Sequence, residues 1–524
     1  MCWPRHGARY GPPLPEPKHS SRTRWPVAEA DPNIKPPSLA AQVRTAVIWR
    51  SGSQVLTQIV SWASTLIVIR LLAPQDYGLF AMAQVMLMLL STMNGWGLAS
   101  ALIREEHVSE ERLRQTLGML ILLNCGLAVT QFIAAPLVAL WFEQPMVTNL
   151  LRVQSLLYLS VPFCALPHAI LSRRMDFRRP AQVRLAAALA GAIMALTGAL
   201  AGWGVWTLVF APMAMFFTDA VGMTWAARSP IRPSFRFKGA GHIAGFGGVM
   251  TATQLFWFVQ SQADVMIAGR VLDPHDLGVY TTGLFLAQLL AAKFVPPINE
   301  VAYAAYSRQH SEGTSDWGSS ALIATIRLVM LVGLPAYAGL AVVAPVLVPV
   351  LLGEKWIEIV PLLPILAAAM AMLTLQILFA PATNARGRPG IALRVTMLGS
   401  VTMPLGFFIG SHWGVTGFAW GWVGGMAVLT GATIVLSRRV LGFSYAGLAR
   451  AILPPLAAAL MMAAGVALML RALPDMPDII ALACAVLLGV ALYLGMLHLI
   501  APDRLAEALR FVRNRGEPDA LAAE

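Results

Sequence analysis

Charge is the scarcest commodity in this chain. Asp, Glu, Lys and Arg together make up 12% of 524 residues, against about 25% in an ordinary soluble domain. With 57% hydrophobic residues and a mean hydropathy of +0.66, there is too little polar surface to cover soluble domains, so a soluble enzyme is excluded. Strict apolar–polar alternation is missing as well, which argues against an outer-membrane barrel. The four cysteines (Cys2, Cys125, Cys164, Cys484) lie far apart. None forms a CxxC or a Cys/His spacing suited to metal, so no cofactor and no metal are expected. No HExxH, Walker loop, nucleophile elbow or clustered catalytic carboxylates occur in any loop, which removes support for an ATPase or hydrolase.

What the chain does have is apolar runs of about 20 residues, the length that crosses roughly 30 Å of hydrocarbon. They fall at 46–69, 78–102, 117–141, 151–171, 183–203, 205–226, 243–269, 278–300, 321–348, 360–382, 391–410, 414–436, 451–471 and 479–500. The expected fold class is therefore an all-α polytopic membrane protein with about fourteen transmembrane helices. Residues 1–44 are rich in Pro and Arg and carry no apolar run. They are expected to form a disordered basic cytoplasmic tail rather than a signal peptide.

Of the 38 basic residues, thirty fall in the tails and loops on the side of the N-terminus, and five (Arg70, Arg152, Arg270, Lys355, Arg471) on the other. Cations mark cytoplasmic loops, so this bias predicts that both termini are cytoplasmic. It also accounts for the net charge of +12 without invoking nucleic acid. The loops on the cation-poor side are too short for a catalytic domain.

The chain repeats itself. RLLAPQDYGLF begins at Arg70 and RVLDPHDLGVY at Arg270, with matches at Gln54/Gln254, Ser61/Ser261, Pro74/Pro274, Asp76/Asp276 and Gly78/Gly278. Further on, at an offset of 209, Ala135-Pro136 matches Ala344-Pro345 and Arg179-Pro180 matches Arg388-Pro389. Six runs form each copy. Six is even, so the repeat is parallel about an axis along the membrane normal, as in transporters made of two rocking halves. This organisation gives a first lobe at 45–238, a second at 239–440, two additional helices at 441–502 and a cytoplasmic tail at 503–524. In each hairpin the proline suits the first helical position, and the aspartate suits the positive end of the helix dipole. Arg70 and Arg270 are then either partners of Asp76 and Asp276 or an outer gate between lobes.

The RxLxPxDxG hairpin and the run LSRRMDFRRPAQVR, Leu171 to Arg184, resemble the oligosaccharide flippases, the Wzx-like polysaccharide transporters of the multidrug/oligosaccharidyl-lipid/polysaccharide exporter superfamily. The resemblance spans about residues 40–440. It implies transbilayer movement of undecaprenyl-diphosphate-linked oligosaccharide across the bacterial inner membrane, with membrane lipid and the polysaccharide polymerase or export machinery as partners. A drug exporter of the same superfamily is the alternative, though twelve spans and an acidic cavity would be expected there. A membrane polysaccharide polymerase or ligase is the rival from outside transport, and the chain lacks the large external loop those enzymes carry.

Polar residues at membrane depth mark candidate sites. On the first run Arg50, Gln54, Thr57, Gln58, Ser61 and Thr65 share one helical face, and on the seventh Thr253, Gln254, Trp257, Gln260, Ser261 and Asp264 do the same. Such stripes would line opposite walls of a cavity, although Gln and Ser also serve as glue between helices. Arg50, Lys293 and Arg327 share a depth about 6–11 Å inside the cation-rich boundary, where they suit a lipid diphosphate; long basic side chains also snorkel there unaided. Asp219 is expected to pair with one of these cations or to carry a coupling proton. Gly417, Gly421 and Gly425 read as close helix packing.

Overall fold

The computed structural model describes residues 39–95, 97, 102, 108–228, 232–236, 241–311, 317–472 and 476–502, and the side chains of 39–51, 241–253, 309–311, 317 and 318 are not among them. The described residues form helices joined by short turns and loops, with no strand. The helices are α1 Leu39–Leu71, α2 Pro74–Ser91, α3 Glu110–Phe142, α4 Pro145–Arg173, α5 Arg178–Leu200, α6 Val205–Ala227, α7 Gly241–Val271, α8 Pro274–Ser311, α9 Trp317–Leu351, α10 Leu362–Ala385, α11 Gly390–Gly410, α12 Gly414–Leu441, α13 Tyr445–Ala472 and α14 Asp478–Ile500. Eleven stretches among them are long and apolar enough to cross a bilayer, one of which, Gly390–Leu441, holds both α11 and α12. The chain is a multi-pass membrane protein.

Two six-helix lobes follow the sequence repeat. In the first, α1 packs on α5 and α5 on α6; in the second, α7 packs on α11 and α11 on α12. The α11–α12 pair is close enough to need its glycines. A Cβ on Gly410 would lie 2.2 Å from the Gly417 carbonyl oxygen, and one on Gly421 would lie 3.0 Å from that of Gly406. Helices α13 and α14 sit outside the repeat, against α9.

Proline breaks the backbone ladder in several spans, and neighbouring helices repair it. Proline has no N–H, so the carbonyl four residues earlier loses its partner, and a lone carbonyl in hydrocarbon is costly. Pro335 frees Leu331, which accepts from Tyr493 of α14 at 2.7 Å. Pro381 frees Ile377, which accepts from Asn299 of α8 at 3.2 Å. Pro167 frees Phe163, which accepts from Thr224 of α6 at 3.2 Å. Side chains on three different helices thus stand in for missing backbone donors. In α4 the strain goes further, and Ser155–Ser160 tightens into a 3-10 turn ahead of Pro162. The buried amide of Gln131 on α3 bonds the Leu151 carbonyl beside that turn at 2.9 Å and accepts from Tyr158 at 2.9 Å.

The helix ends form two faces. One carries the two repeat hairpins; the other carries the arginine-rich turns. On the latter, Arg174 donates to the Ala227 carbonyl at 2.9 Å and Arg179 to that of Ala226 at 3.2 Å. Both are last-turn carbonyls of α6, where cations complement the dipole. The LSRRMDFRRP run is thus a cap for its neighbour.

Candidate functional site

The lobes meet at the hairpin face. There α2 and α8 cross so tightly that a Cβ on Gly78 would sit 1.8 Å from the Pro274 carbonyl oxygen, and one on Gly278 would sit 1.8 Å from that of Pro74. The two repeat glycines therefore serve each other's prolines, a reciprocity possible only because neither has a side chain.

Around this crossing each lobe caps the other. The last carbonyls of a helix have no partner within it. In α1 two of them are satisfied by the second lobe: Ile69 accepts from the buried indole of Trp356 at 2.9 Å, and Leu71 accepts from Lys355 at 3.2 Å. In return Arg70 donates to the Val350 carbonyl, in the last turn of α9, at 3.0 Å. The other arm runs the opposite way. Arg270 at the end of α7 pairs with Glu143 at the end of α3, and Trp141 donates to the Met266 carbonyl at 3.3 Å. Tyr77 stands edge-on to Trp356 with ring centroids 5.4 Å apart, and Phe142 packs against Gly269.

Neither arginine uses its neighbouring aspartate. Asp76 accepts from the Ala73 N–H at 3.1 Å and caps its own helix. In the second copy Asp273 does the capping, accepting from the Asp276 N–H at 2.8 Å. Pairing of Arg70 with Asp76 and of Arg270 with Asp276 is thereby corrected: short local caps occupy the chain turn, and the longer arginines reach across the seam.

Toward the arginine-rich face, helices α1 and α8 make no extended packing among the described residues. Lys293 of α8 reaches Gln58 of α1, its Nζ donating to Oε1 at 3.3 Å, and the bond is solvent-exposed. Lys293 lies about 22 Å along α8 from the Gly278 crossing, at 1.5 Å per residue. Gln54 and Ser61 remain exposed on the same helix as Gln58, and Arg327 is half-buried on α9. The Arg50 side chain lies outside the described residues.

The seventh-run stripe behaves differently. Gln254 is half-buried, but Asp264 is only 1% exposed. It accepts from Tyr280 at 2.9 Å, and Trp422 in turn donates to the Tyr280 hydroxyl at 2.7 Å. Gln260 turns its amide against Gly399 of α11. These two residues turn toward helices of their own lobe, Asp264 to α8 and α12 through Tyr280 and Trp422, and Gln260 to α11. Asp219 lies on α6 of the first lobe. The charges that face it are Arg184 of α5 and His168 of α4. Lys293 and Arg327 are on the other lobe.

Sequence reasoning missed Glu143, Lys355, Trp141 and Trp356. A signal was present for one of them: Lys355, like Arg70 and Arg270, is a cation on the cation-poor side, where topology gives it no reason to be.

Comparison with known proteins agrees with this architecture. Residues 67–361 match the profile of the family described as "Polysaccharide biosynthesis protein". The succinoglycan biosynthesis transport protein ExoT of Rhizobium meliloti is 24% identical over 356 residues, covering 67% of this chain and 71% of the relative. The lipopolysaccharide biosynthesis protein WzxC of Escherichia coli is 22% identical over 338 residues, covering 63% and 67%. Among solved structures, the lipid II flippase MurJ in an inward closed conformation superposes with a TM-score of 0.69 at 12% identity, over 87% of this chain and all of that one. An inward-facing MATE multidrug transporter of the MOP superfamily gives 0.60 at 16% identity, over 76% and 98%. The last two establish the two-lobed helical transporter fold. The chain is a transporter rather than an enzyme, and it belongs to the polysaccharide biosynthesis protein family of Wzx-like membrane flippases.

Proposed function

We propose that the protein flips undecaprenyl-diphosphate-linked oligosaccharide from the cytoplasmic to the periplasmic face of the bacterial inner membrane, for surface polysaccharide synthesis, by alternating access of the 45–238 and 239–440 lobes. Both termini and the arginine-rich face are cytoplasmic in this reading, on the strength of the cation bias. The observation that carries it is the contrast between the sealed hairpin face and the exposed Lys293–Gln58 bond between lobes. A cation that meets a neutral amide offers its charge to an anionic ligand, and the diphosphate of a lipid in the inner leaflet arrives at that depth. Arg50 and Arg327 complete the cationic entry, and Gln54, Ser61 and Gln254 offer hydrogen bonds to sugar. Arg70 and Arg270 act as the outer gate: opening the hairpin face must uncap α1 and α9 together. Asp219, with Arg184 and His168, is a structural ion cluster or the coupling proton's carrier within the first lobe.

Lys293→Gln combined with Arg327→Gln tests the substrate assignment. In a strain lacking the native gene, the double variant should insert at normal abundance, lose surface polysaccharide, and accumulate lipid-linked oligosaccharide facing the cytoplasm. Normal export at normal abundance would remove the cationic entry site. A drug exporter of the same fold predicts a different result, with loss of drug resistance and no accumulated lipid intermediate.

A further inference from the structure

The second hairpin differs from the first in a way the turn does not require. In the first, Asp76 caps its own helix. In the second, Asp273 stands where the first has Ala73, takes over the cap, and leaves the Asp276 carboxylate without that duty. That carboxylate meets His275 beside it and Glu358 from the 354–359 turn. One ligand atom from each of the three lies within 4.8 Å of the others, and His275 Nε2 is 3.1 Å from Glu358 Oε2. Asp276 is partly desolvated, and Asp273 and Glu358 both bring negative charge to bear on it. The first lobe offers Gln75 at the position of His275, and no corresponding acidic turn is part of the repeat.

We propose that His275, Asp276 and Glu358 form a binding site for a divalent transition-metal ion of the zinc type on the hairpin face. The chemistry fits: one imidazole and two carboxylates are a borderline donor set that zinc accepts, with water in the open position. A tetrahedral zinc with bonds of about 2.1 Å holds its ligand atoms about 3.4 Å apart, so side-chain rotation of about an ångström brings the three donors into place. The cation also relieves the mutual repulsion of the three carboxylates. The α8 dipole opposes a cation at its start, and the Asp273 cap already offsets it. The ligands are 83 residues apart in sequence at the widest, which is why no metal-like spacing was legible. An ion there would tie the first turn of α8 to the turn whose Lys355 and Trp356 hold the end of α1, stiffening one jaw of the seal.

The test uses the full chain, purified in detergent without a polyhistidine tag and stripped with chelator. Titration with zinc chloride should show saturable binding of one ion per chain and a zinc-dependent rise in Tm. His275→Ala and Glu358→Gln should each weaken binding about tenfold or more and abolish the Tm rise. His412→Ala, on another turn of the same face, should change neither. Cobalt(II) should give the visible absorption of a site with a nitrogen ligand, and His275→Ala should remove it. Wild-type binding unaffected by either ligand variant would overturn the proposal, as would magnesium or calcium binding as well as zinc.

Discussion

The two ends of this molecule are held by opposite means. At the hairpin face the lobes exchange backbone caps through Trp356, Lys355 and Arg70, pair Arg270 with Glu143, and interlock Gly78 and Gly278 against each other's prolines. Toward the arginine-rich face an exposed side-chain bond, Lys293 to Gln58, joins α1 and α8. The first arrangement combines a steric interlock with caps on backbone carbonyls, so it persists until the lobes separate as rigid units. The second costs little to break and leaves a cation behind, which suits an entry for an anionic ligand. A transporter needs that inequality: a seal on one side while the other stays accessible.

The contrast can be broken at the crossing first. Gly78→Val or Gly278→Val places branched side chains where a single Cβ already clashes with backbone. Overpacking of this kind costs about 1–3 kcal/mol or more, enough to hold the hairpin face open. Export should fall to background, and a cysteine introduced at Leu71 should gain reactivity toward an impermeant thiol reagent. Unchanged labelling with normal export would mean the crossing is not the seal.

The double variant of Lys293 and Arg327 should have the next largest effect, lowering export about tenfold or more with the hairpin face still shut. It separates the two ends, because Leu71 labelling should stay at its wild-type level. A milder change is Trp356→Phe, which keeps the ring against Tyr77 but removes the donor to Ile69. Leaving a buried carbonyl unpaired costs about 1–3 kcal/mol, so labelling at Leu71 should rise about fivefold or more. Arg270→Ala should matter least, since an exposed ion pair contributes about 0–1 kcal/mol and is screened by salt. Its effect on export should shrink further at high ionic strength; a loss as large as that of Gly78→Val would mean Arg270 touches substrate.

How far the sequence could take the account depends on distance along the chain. Fourteen helices, the hairpins and the two lobes are local or periodic features, and runs of about 20 apolar residues together with a repeat at offset 200 make them legible. The contacts of Arg70 were not, because Val350 is 280 residues away and nothing in either segment alone signals the other. Asp264 shows a second kind of failure. Its angular position on α7 matches the polar stripe, but helical period says nothing of which neighbour covers the face, and Tyr280 and Trp422 enclose it. The neighbours of Asp219 were not legible for a related reason. Depth within the membrane suggested distant cations, whereas adjacency of α4, α5 and α6 supplies His168 and Arg184. Conversely, the family resemblance in LSRRMDFRRP marked residues that cap α6, so a recognisable motif here locates structure rather than substrate.

Alternating access requires the hairpin face to open. Leu71→Cys and Lys355→Cys, in a chain whose native cysteines are replaced, put one thiol on each side of the seam where Lys355 reaches the Leu71 carbonyl. A short cleavable bismaleimide should join them in right-side-out cells. Cross-linking should stop export of surface polysaccharide, and cleaving the linker should restore it. Export at the uncross-linked rate with the linker in place would contradict that requirement.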